Sequence, residues 1–481
     1  MKARIMRLLM SLLLALPLSS CTADSDLGTE TSAPADETDS TATETNPLDK
    51  FTDYNFDGET FTILDVNNLP TIHINLPTEE STGDIINDGL LERNRAISEL
   101  LGVTFEYEQI TDFSVGSQTL RNSVMAGEEM YDLVFSTISG GMLGTLALEG
   151  ILANLCDIDA LTLDADWWSR LIYDNCRIND VMYYTAGDIS PAVYYAPACY
   201  FANKRLLLEY SISPESIYEA VENGSWTLDY LYALTADMST DLNNDGILKI
   251  DDDFFGVMNE TNALTAAVFA TGAGIQLSSS DKDGNINCNF ANDRTLETID
   301  KLKLLLSNAS ASNNTAFQTA FMDGRAVFFM HYVSSAYTRY REMTDDFMIL
   351  PIPKFDETQD SYYSLYSSWG NSSCAIPADA NTELSGVVSE ALAIWSHYNL
   401  RPQVYDLAFK NKGARSEKDA EMLDIIFDTL YLDFNSFEDF GGSLTALSNA
   451  VFKSGSFMSD FASIAEAANA EAANFRDSWL N

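Results

Sequence analysis

The sequence predicts an α/β protein made of two domains. Residues 58–136 alternate strand and helix patterns, which implies a mostly parallel sheet. About 430 residues follow the first fifty, too many for one ordinary hydrophobic core. No internal repeat is visible.

The first strand is "TFTILDV", ending at Val66, an apolar run suited to burial. "DIINDGLLERNRAISELLG" follows as a helix, with Ile86, Leu90, Ile97 and Leu101 near one face and Gly102 as its stop. "VTFEYEQI" alternates as a second strand. A short helix is expected near Gln118 to Ala126, then a buried strand in "YDLVFST". Such repetition implies right-handed crossovers, and ligands of these sheets sit beyond the carboxyl ends of the strands. The loop "STISGG", Ser136 to Gly141, lies at such an end and offers Ser136, Thr137 and Ser139 as contacts.

Further on, "VYYAPACYFANKRLLLEY" runs from extended residues into a helix. "SWTLDYLYALTADMST" is a helix capped by Thr227, with Asp229 in its first turn and Leu228, Leu231, Leu234 and Met238 facing inward. "FMDGRAVFFMHY" reads as a turn and a strand, and "FMILPIPKF" as an extended segment stopped by its prolines. From Asn381 onward the chain is largely helical.

The N-terminus addresses location. Lys2, Arg4 and Arg7 precede an apolar run from Leu8 to Leu18, the pattern of a signal peptide over residues 1–20. "LSSC" resembles a bacterial lipobox, in which Cys21 takes lipid and becomes the first mature residue. Residues 21–50, rich in Ser, Thr, Asp, Glu and Ala, cannot bury enough apolar surface to offset their ordering entropy, and read as a disordered tether. The net charge is −45, and −48 once the three basic residues of the leader are removed. Such a surface repels nucleic acid. Beyond Cys21 the five cysteines are scattered and odd in number, so free buried thiols are expected rather than a disulfide framework. His73, His331 and His397 share no metal-ligand spacing, which leaves no zinc site.

"DLNNDGILKIDD", residues 241–252, has the pattern of a calcium loop. Its ligands would be the side chains of Asp241, Asn243, Asp245 and Asp252 and the Ile247 carbonyl, with Gly246 at the sharp turn. Sensors pair two such loops to expose a groove, and only one is visible, so Ca2+ is expected as a structural clip.

These segments, in order, resemble the extracellular solute-binding lipoproteins of bacterial ABC importers, of the sugar type that includes the maltose-binding proteins. The likeness runs through "LERNRAISELLGVTF", "YDLVFST", "DADWW", "MYYTAGDIS", "YFANKRLLLEYSI", "GSWTLDYL", "DLNNDG", "FMDGRAVFFMHY" and "MILPIPK", and covers residues 57 to 480. It implies a two-lobed periplasmic-binding-protein-like α/β fold with hinge strands between the lobes. Lobe 1 would be 51–195 plus 332–378, and lobe 2 would be 196–331 plus 379–481. Chain crossings would fall near Tyr194 to Tyr200, His331, and Ile376 to Ala380. It further implies a monomer held by lipid on the extracellular face of the cytoplasmic membrane, catching a solute and passing it to permease subunits.

A sugar presents hydroxyls and an apolar ring face, so its cleft needs aromatic walls and fixed polar groups. Where two aromatics adjoin, one ring of each extended pair is expected in the core. Trp168, Tyr184, Tyr195, Tyr332 and Trp369 are the candidate stacking residues, and Asp188 in "GDIS" the candidate acceptor. No GxSxG elbow, HExxH, P-loop or GxGxxG occurs, which favours a binder over an enzyme. The alternatives are a receptor for a peptide or other small solute, and a secreted glycoside hydrolase.

Overall fold

The computed structural model describes residues 46–69, 74–139, 142–306, 316–405, 414–453 and 457–481. The leader, residues 21–45 of the expected tether with Cys21, and His73 lie outside these residues, while the tether's expected last residues, from Pro47, form a 3-10 helix (Pro47–Phe51) that belongs to the folded unit and brings Lys50 to Glu390. Residues 47–481 form one compact unit. Among the described residues no helix is long and apolar enough to cross a membrane.

Eight strands make the two main sheets: β1 (Glu59–Val66), β2 (Val103–Ile110), β3 (Leu133–Ser136), β4 (Ala198–Asn203), β5 (Phe255–Met258), β6 (Ala326–Tyr332), β7 (Phe347–Leu350) and β8 (Ser373–Ala375). The first sheet has the order β8-β3-β1-β2, with β8 antiparallel to an otherwise parallel set. Its central strand is buried on both faces, as its continuous apolar run requires. Phe61 and Ile63 pack with Leu90, Ile97 and Leu101 on one face, and Leu64 and Val66 with Leu120 and Leu143 on the other. The helix Ile85–Leu101 begins where the Asp84 carboxylate accepts from the backbone N–H groups of Ile86 and Asn87, and ends at Gly102, whose φ of 67° suits glycine. The next helix, Phe113–Ala126, starts earlier than expected because Asp112 caps it through the Val115 N–H.

The second sheet has the order β5-β6-β4-β7, and β4 runs antiparallel to both neighbours. The helix Ala263–Gly272 is buried from Thr265 to its end, and packs with Ala198, Tyr200, Val257 and Phe328. The other face carries Phe201, Phe329, Phe347 and Tyr340. Thr227 caps the helix Leu228–Thr235 as expected. The extended segment "FMIL" is β7, paired with β4.

This pairing corrects the lobe boundaries. Residues 347–350 belong to the second sheet, not to lobe 1. The helix Thr382–Trp395 packs on the helix Ile85–Leu101 and so belongs with the first sheet, not with lobe 2. The chain leaves the first lobe at Ala196–Pro197 and returns at Tyr366–Ser367, not near His331, and it does not leave again at Ile376 to Ala380 as expected. Residues 382–400 stay in the first lobe, and the helix Glu417–Asp428 packs on β7 in the second. His331 closes β6 beside the crossing, but the chain remains with the second lobe through Tyr340 and β7. Spacing cannot reveal these exchanges, because each depends on a partner far away in sequence.

The five cysteines beyond Cys21 are free; Cys176, Cys199, Cys288 and Cys374 are buried and Cys156 is half-buried. Burial pushes the Cys374 thiol up to about 12.

Glu390 ties the first lobe together. It is fully buried and accepts from the Trp168 indole N–H (2.7 Å), the Lys50 ammonium (2.9 Å) and the Thr162 backbone N–H (3.2 Å). Glu390→Ala strands the buried Trp168 donor, and is expected to lower stability by about 2 kcal/mol in denaturant unfolding. Glu390→Gln, which keeps an acceptor, is expected to lose less.

Candidate functional site

The carboxyl ends of the parallel strands in both sheets meet at the chain crossings. On the first lobe these are Val66, Ser136 and the segment 366–372 that leads into β8; on the second they are Met258 and Tyr332. The crossings are fixed by backbone hydrogen bonds. Ser367 N–H donates to the Ala196 carbonyl (3.0 Å), and Val333 N–H to the Pro197 carbonyl (2.9 Å).

Segment 366–373, "YSSWGNSS", is the chemical centre of this region. Trp369 is 49% exposed, unusual for an indole, and meets Phe113 edge to face at 6.2 Å. Asn371 is buried, yet neither its amide nitrogen nor its oxygen has a hydrogen-bond partner among the described residues. The Ser372 and Ser373 hydroxyls and the Tyr366 phenol are also buried and unpartnered. Buried polar groups are nearly always bonded, so this concentration of unused donors and acceptors gives the site capacity for a hydroxyl-rich ligand. Ser139 faces the same loop and bonds Ser368 hydroxyl to hydroxyl (2.6 Å).

Across the cleft, the Tyr332 phenol pairs with the Ser367 hydroxyl and feels the charge of Glu260. Burial pushes the Glu260 carboxyl up, and Asn262 holds it at 2.9 Å. One exposed indole, amides, hydroxyls and a carboxyl are therefore gathered beside the chain crossings. That set can stack on a ring and both give and accept hydrogen bonds.

The expected residues divide. Ser139, Tyr332 and Trp369 come together here. Ser136 and Thr137 are close by but buried, with hydroxyls used on the Val66 and Ser139 carbonyls (2.8 and 2.7 Å), so they shape the loop instead of facing a ligand. Trp168 is core, its N–H held by Glu390. Tyr184 is core too, edge-on to Trp479 at 5.6 Å. Asp188 is buried among the Tyr194 phenol, His397 (2.6 Å) and Arg401 (3.6 Å), a network within the first lobe. Tyr195 is buried at the crossing. In each aromatic pair the ring assigned to the ligand is packed: Trp168 under the helix Thr382–Trp395, Tyr184 under the C-terminal helix Phe457–Trp479, and Tyr195 at the crossing. Phe113, Glu260 and Asn371 were missed; only "WGNSS", polar residues around one aromatic, hinted at the last.

The acidic loop is closed by its own hydrogen bonds. Gly246, with φ 81°, donates to Asp241 Oδ2 (2.7 Å), and Asp245 and Ile247 N–H groups donate to Asn243 and Asp245 (both 2.9 Å). The second Asp241 oxygen is buried and unpartnered, which fits a cation ligand. The remaining donors fit less well. Lys249 already supplies a cation to Asp245, and Asp252 is exposed while Asp253 turns inward onto the Leu242 and Lys249 N–H groups. Among the described residues, no three acidic, His or Cys side chains are gathered as a metal site. Asp253, next to the expected ligand Asp252, spends its carboxylate on the Leu242 and Lys249 N–H groups of the loop.

No protein-family model matches the sequence, and no curated protein does. Solved structures do match. The cyclic α-maltosyl-1,6-maltose binding protein from Arthrobacter globiformis aligns at 12% identity and a TM-score of 0.60, over 87% of this chain and 100% of that one. The fold is that of two-lobed solute-binding proteins. The galacto-N-biose-/lacto-N-biose I-binding protein of an ABC transporter from Bifidobacterium longum gives 13%, 0.57, 87% and 98%, and the GacH receptor of Streptomyces glaucescens 13%, 0.52, 88% and 97%. The resemblance drawn from the ordered motifs is borne out in fold.

Glu438 makes part of the contact between lobes, its carboxyl close to Gly144 at the first-lobe helix Leu143–Leu148. Burial, helped by nearby Glu471, pushes its pKa from 4.5 up to about 7. The folded protein thus holds more protons than the unfolded chain between these values, and stability should fall as pH rises through that window. Melting temperatures from pH 4.5 to 7.5 are expected to fall more for the natural chain than for Glu438→Gln.

Proposed function

We propose that the chain is a sugar-capturing receptor of an ABC importer, tethered through lipid on Cys21 at the extracellular face of the bacterial cytoplasmic membrane. The observation that carries this reading is the exposed Trp369 beside the buried, unpartnered Asn371 amide in the interlobe cleft of a solute-binding fold. The three matched proteins are described with sugars or sugar-like ligands: cyclic α-maltosyl-1,6-maltose, lacto-N-biose and acarbose. The chemistry of this cleft agrees with that class, since an indole stacks on a pyranose face while amides and hydroxyls meet its hydroxyls.

Function would follow from differential binding. A ligand that touches Trp369 and Asn371 on one lobe and Tyr332 and Glu260 on the other makes all its contacts only when the lobes are closed. It therefore shifts the population toward closure. Permease subunits would then read the closed form. Binding requires no bond breaking, so no residue is assigned a catalytic role.

Calcium at residues 241–252 is proposed as a clip on the second lobe. It would be held by Asp241, Asn243, Asp245 and the Ile247 carbonyl, with Lys249 displaced from Asp245 and Asp252 drawn in.

The central test is a titration of neutral oligosaccharides, maltotriose and lacto-N-biose among them, followed by tryptophan fluorescence and by product release. Saturable quenching without product is expected, and turnover would overturn the reading. Trp369→Ala is expected to weaken binding about tenfold or more while leaving the melting temperature nearly unchanged. EDTA should lower the melting temperature and leave sugar affinity unchanged. A large affinity loss would assign the metal to the ligand site instead.

A further inference from the structure

The second lobe contains a cavity of about 490 Å³, within the usual range for small-molecule sites. Its walls come from residues 271–294, with Tyr363 and Tyr431, all outside the cleft segments around Trp369. The floor is the end of the buried helix Ala263–Gly272. One wall is the short hairpin Ser279–Ser280 with Ile286–Asn287, and the other is the pair of strands Ser364–Leu365 and Leu430–Tyr431.

The lining has a definite chemistry. Asn287 and Asn289 contribute amides able to give and accept hydrogen bonds, while the Asn292 oxygen caps the helix Asp293–Leu305 through the Thr295 N–H. Tyr363 and Tyr431 meet edge to face at 6.5 Å, and both line the cavity with half-buried rings. Thr271 is 1% exposed, lines the cavity, and its hydroxyl has no hydrogen-bond partner among the described residues. Among the described residues no carboxylate lines the cavity, and its cation, Arg294, is already committed. It donates from Nε to the Ala273 carbonyl (2.8 Å) and from Nη2 to Gln359 (2.9 Å), and it lies over the Phe355 ring.

We propose that this cavity is a second binding site, for a short neutral saccharide, distinct from the interlobe cleft. Amides and hydroxyls match groups that are donor and acceptor at once, as sugar hydroxyls are. The tyrosine pair offers a ring face. Arg294 keeps its positive charge, but its bonds turn it onto the Ala273 carbonyl, Gln359 and the Phe355 ring, and a chain of net charge −45 disfavours anions. None of the cleft segments around Trp369 lines this cavity, so binding here does not draw on the contacts that close the lobes. Ligand held in this cavity would therefore be kept beside the receptor in both its open and its closed states.

The test is saturation-transfer NMR and calorimetry on the purified chain, with maltotriose, raffinose and cellobiose as neutral probes and galacturonic acid as the charged one. Trp369→Ala removes the main aromatic contact of the cleft. The expected result is that at least one neutral probe still binds this variant. Adding Tyr363→Ala or Asn289→Ala should then weaken that binding by about tenfold. Thr271→Val, which keeps shape and removes the hydroxyl, is a third variant in case the tyrosine change disturbs folding, and unchanged melting temperatures qualify each variant. The proposal is overturned if no neutral probe binds the Trp369→Ala chain, if cavity substitutions leave its binding unchanged, or if galacturonic acid binds in preference. Cleft binding lost with Trp369→Ala alone, and no cavity effect, would leave the receptor reading standing without a second site.

Discussion

Everything else in this molecule depends on how two extended segments pass each other between the lobes. Ala196–Pro197 and Tyr366–Ser367 run antiparallel as a single bridge, and the end of β6 is bonded to the same place through Val333. A backbone leaving a sheet must find partners for its N–H and C=O groups or lose free energy. Here the segments satisfy one another. That permits two sheets, each with its own core, to be joined by little chain. It also brings the carboxyl ends of the strands of both sheets to the same spot, so a cleft exists before any side chain is chosen. The likeness in fold to sugar-binding proteins at 12–13% identity fits this view. The constraint lies in backbone connection, which many sequences can meet.

Side chains then divide the labour. Near the crossings the apolar rings are mostly packed away, and what faces the cleft is a small set of unpaired amides and hydroxyls around one indole. The network of Asp188, Tyr194, His397 and Arg401, by contrast, is internally satisfied and holds the first lobe rigid. His331 is likewise structural. Burial and nearby Arg339 push it down to about 3, while Ser335 and Gln318 hold both ring nitrogens, so it stays neutral at any physiological pH.

Much of the fold was legible in sequence because its signals are local. Asp84 and Gly102 mark both ends of one helix, Thr227 marks the start of another, and the continuous apolar run of β1 announces a strand covered on both faces. The lobe boundaries were not legible. β7 pairs with a strand about 150 residues earlier, and the helix Thr382–Trp395 packs on one almost 300 residues earlier, which no periodicity encodes. The candidate site was half legible for the same reason. Trp369, Tyr332 and Ser139 could be picked from their surroundings. Trp168 and Asp188 have equally promising neighbours, and only Glu390 and His397, each over 200 residues away, make them structural.

The solitary thiols have a further consequence. Cys176, Cys199, Cys288 and Cys374 each sit alone in packed surroundings, and burial keeps all four protonated. A thiol reagent in solution cannot reach them until the segment around each one opens. They are spread over both sheets and the hairpin between them, so the rate at which each becomes labelled is a clock for one region's breathing. The natural chain thus carries its own reporters of local opening.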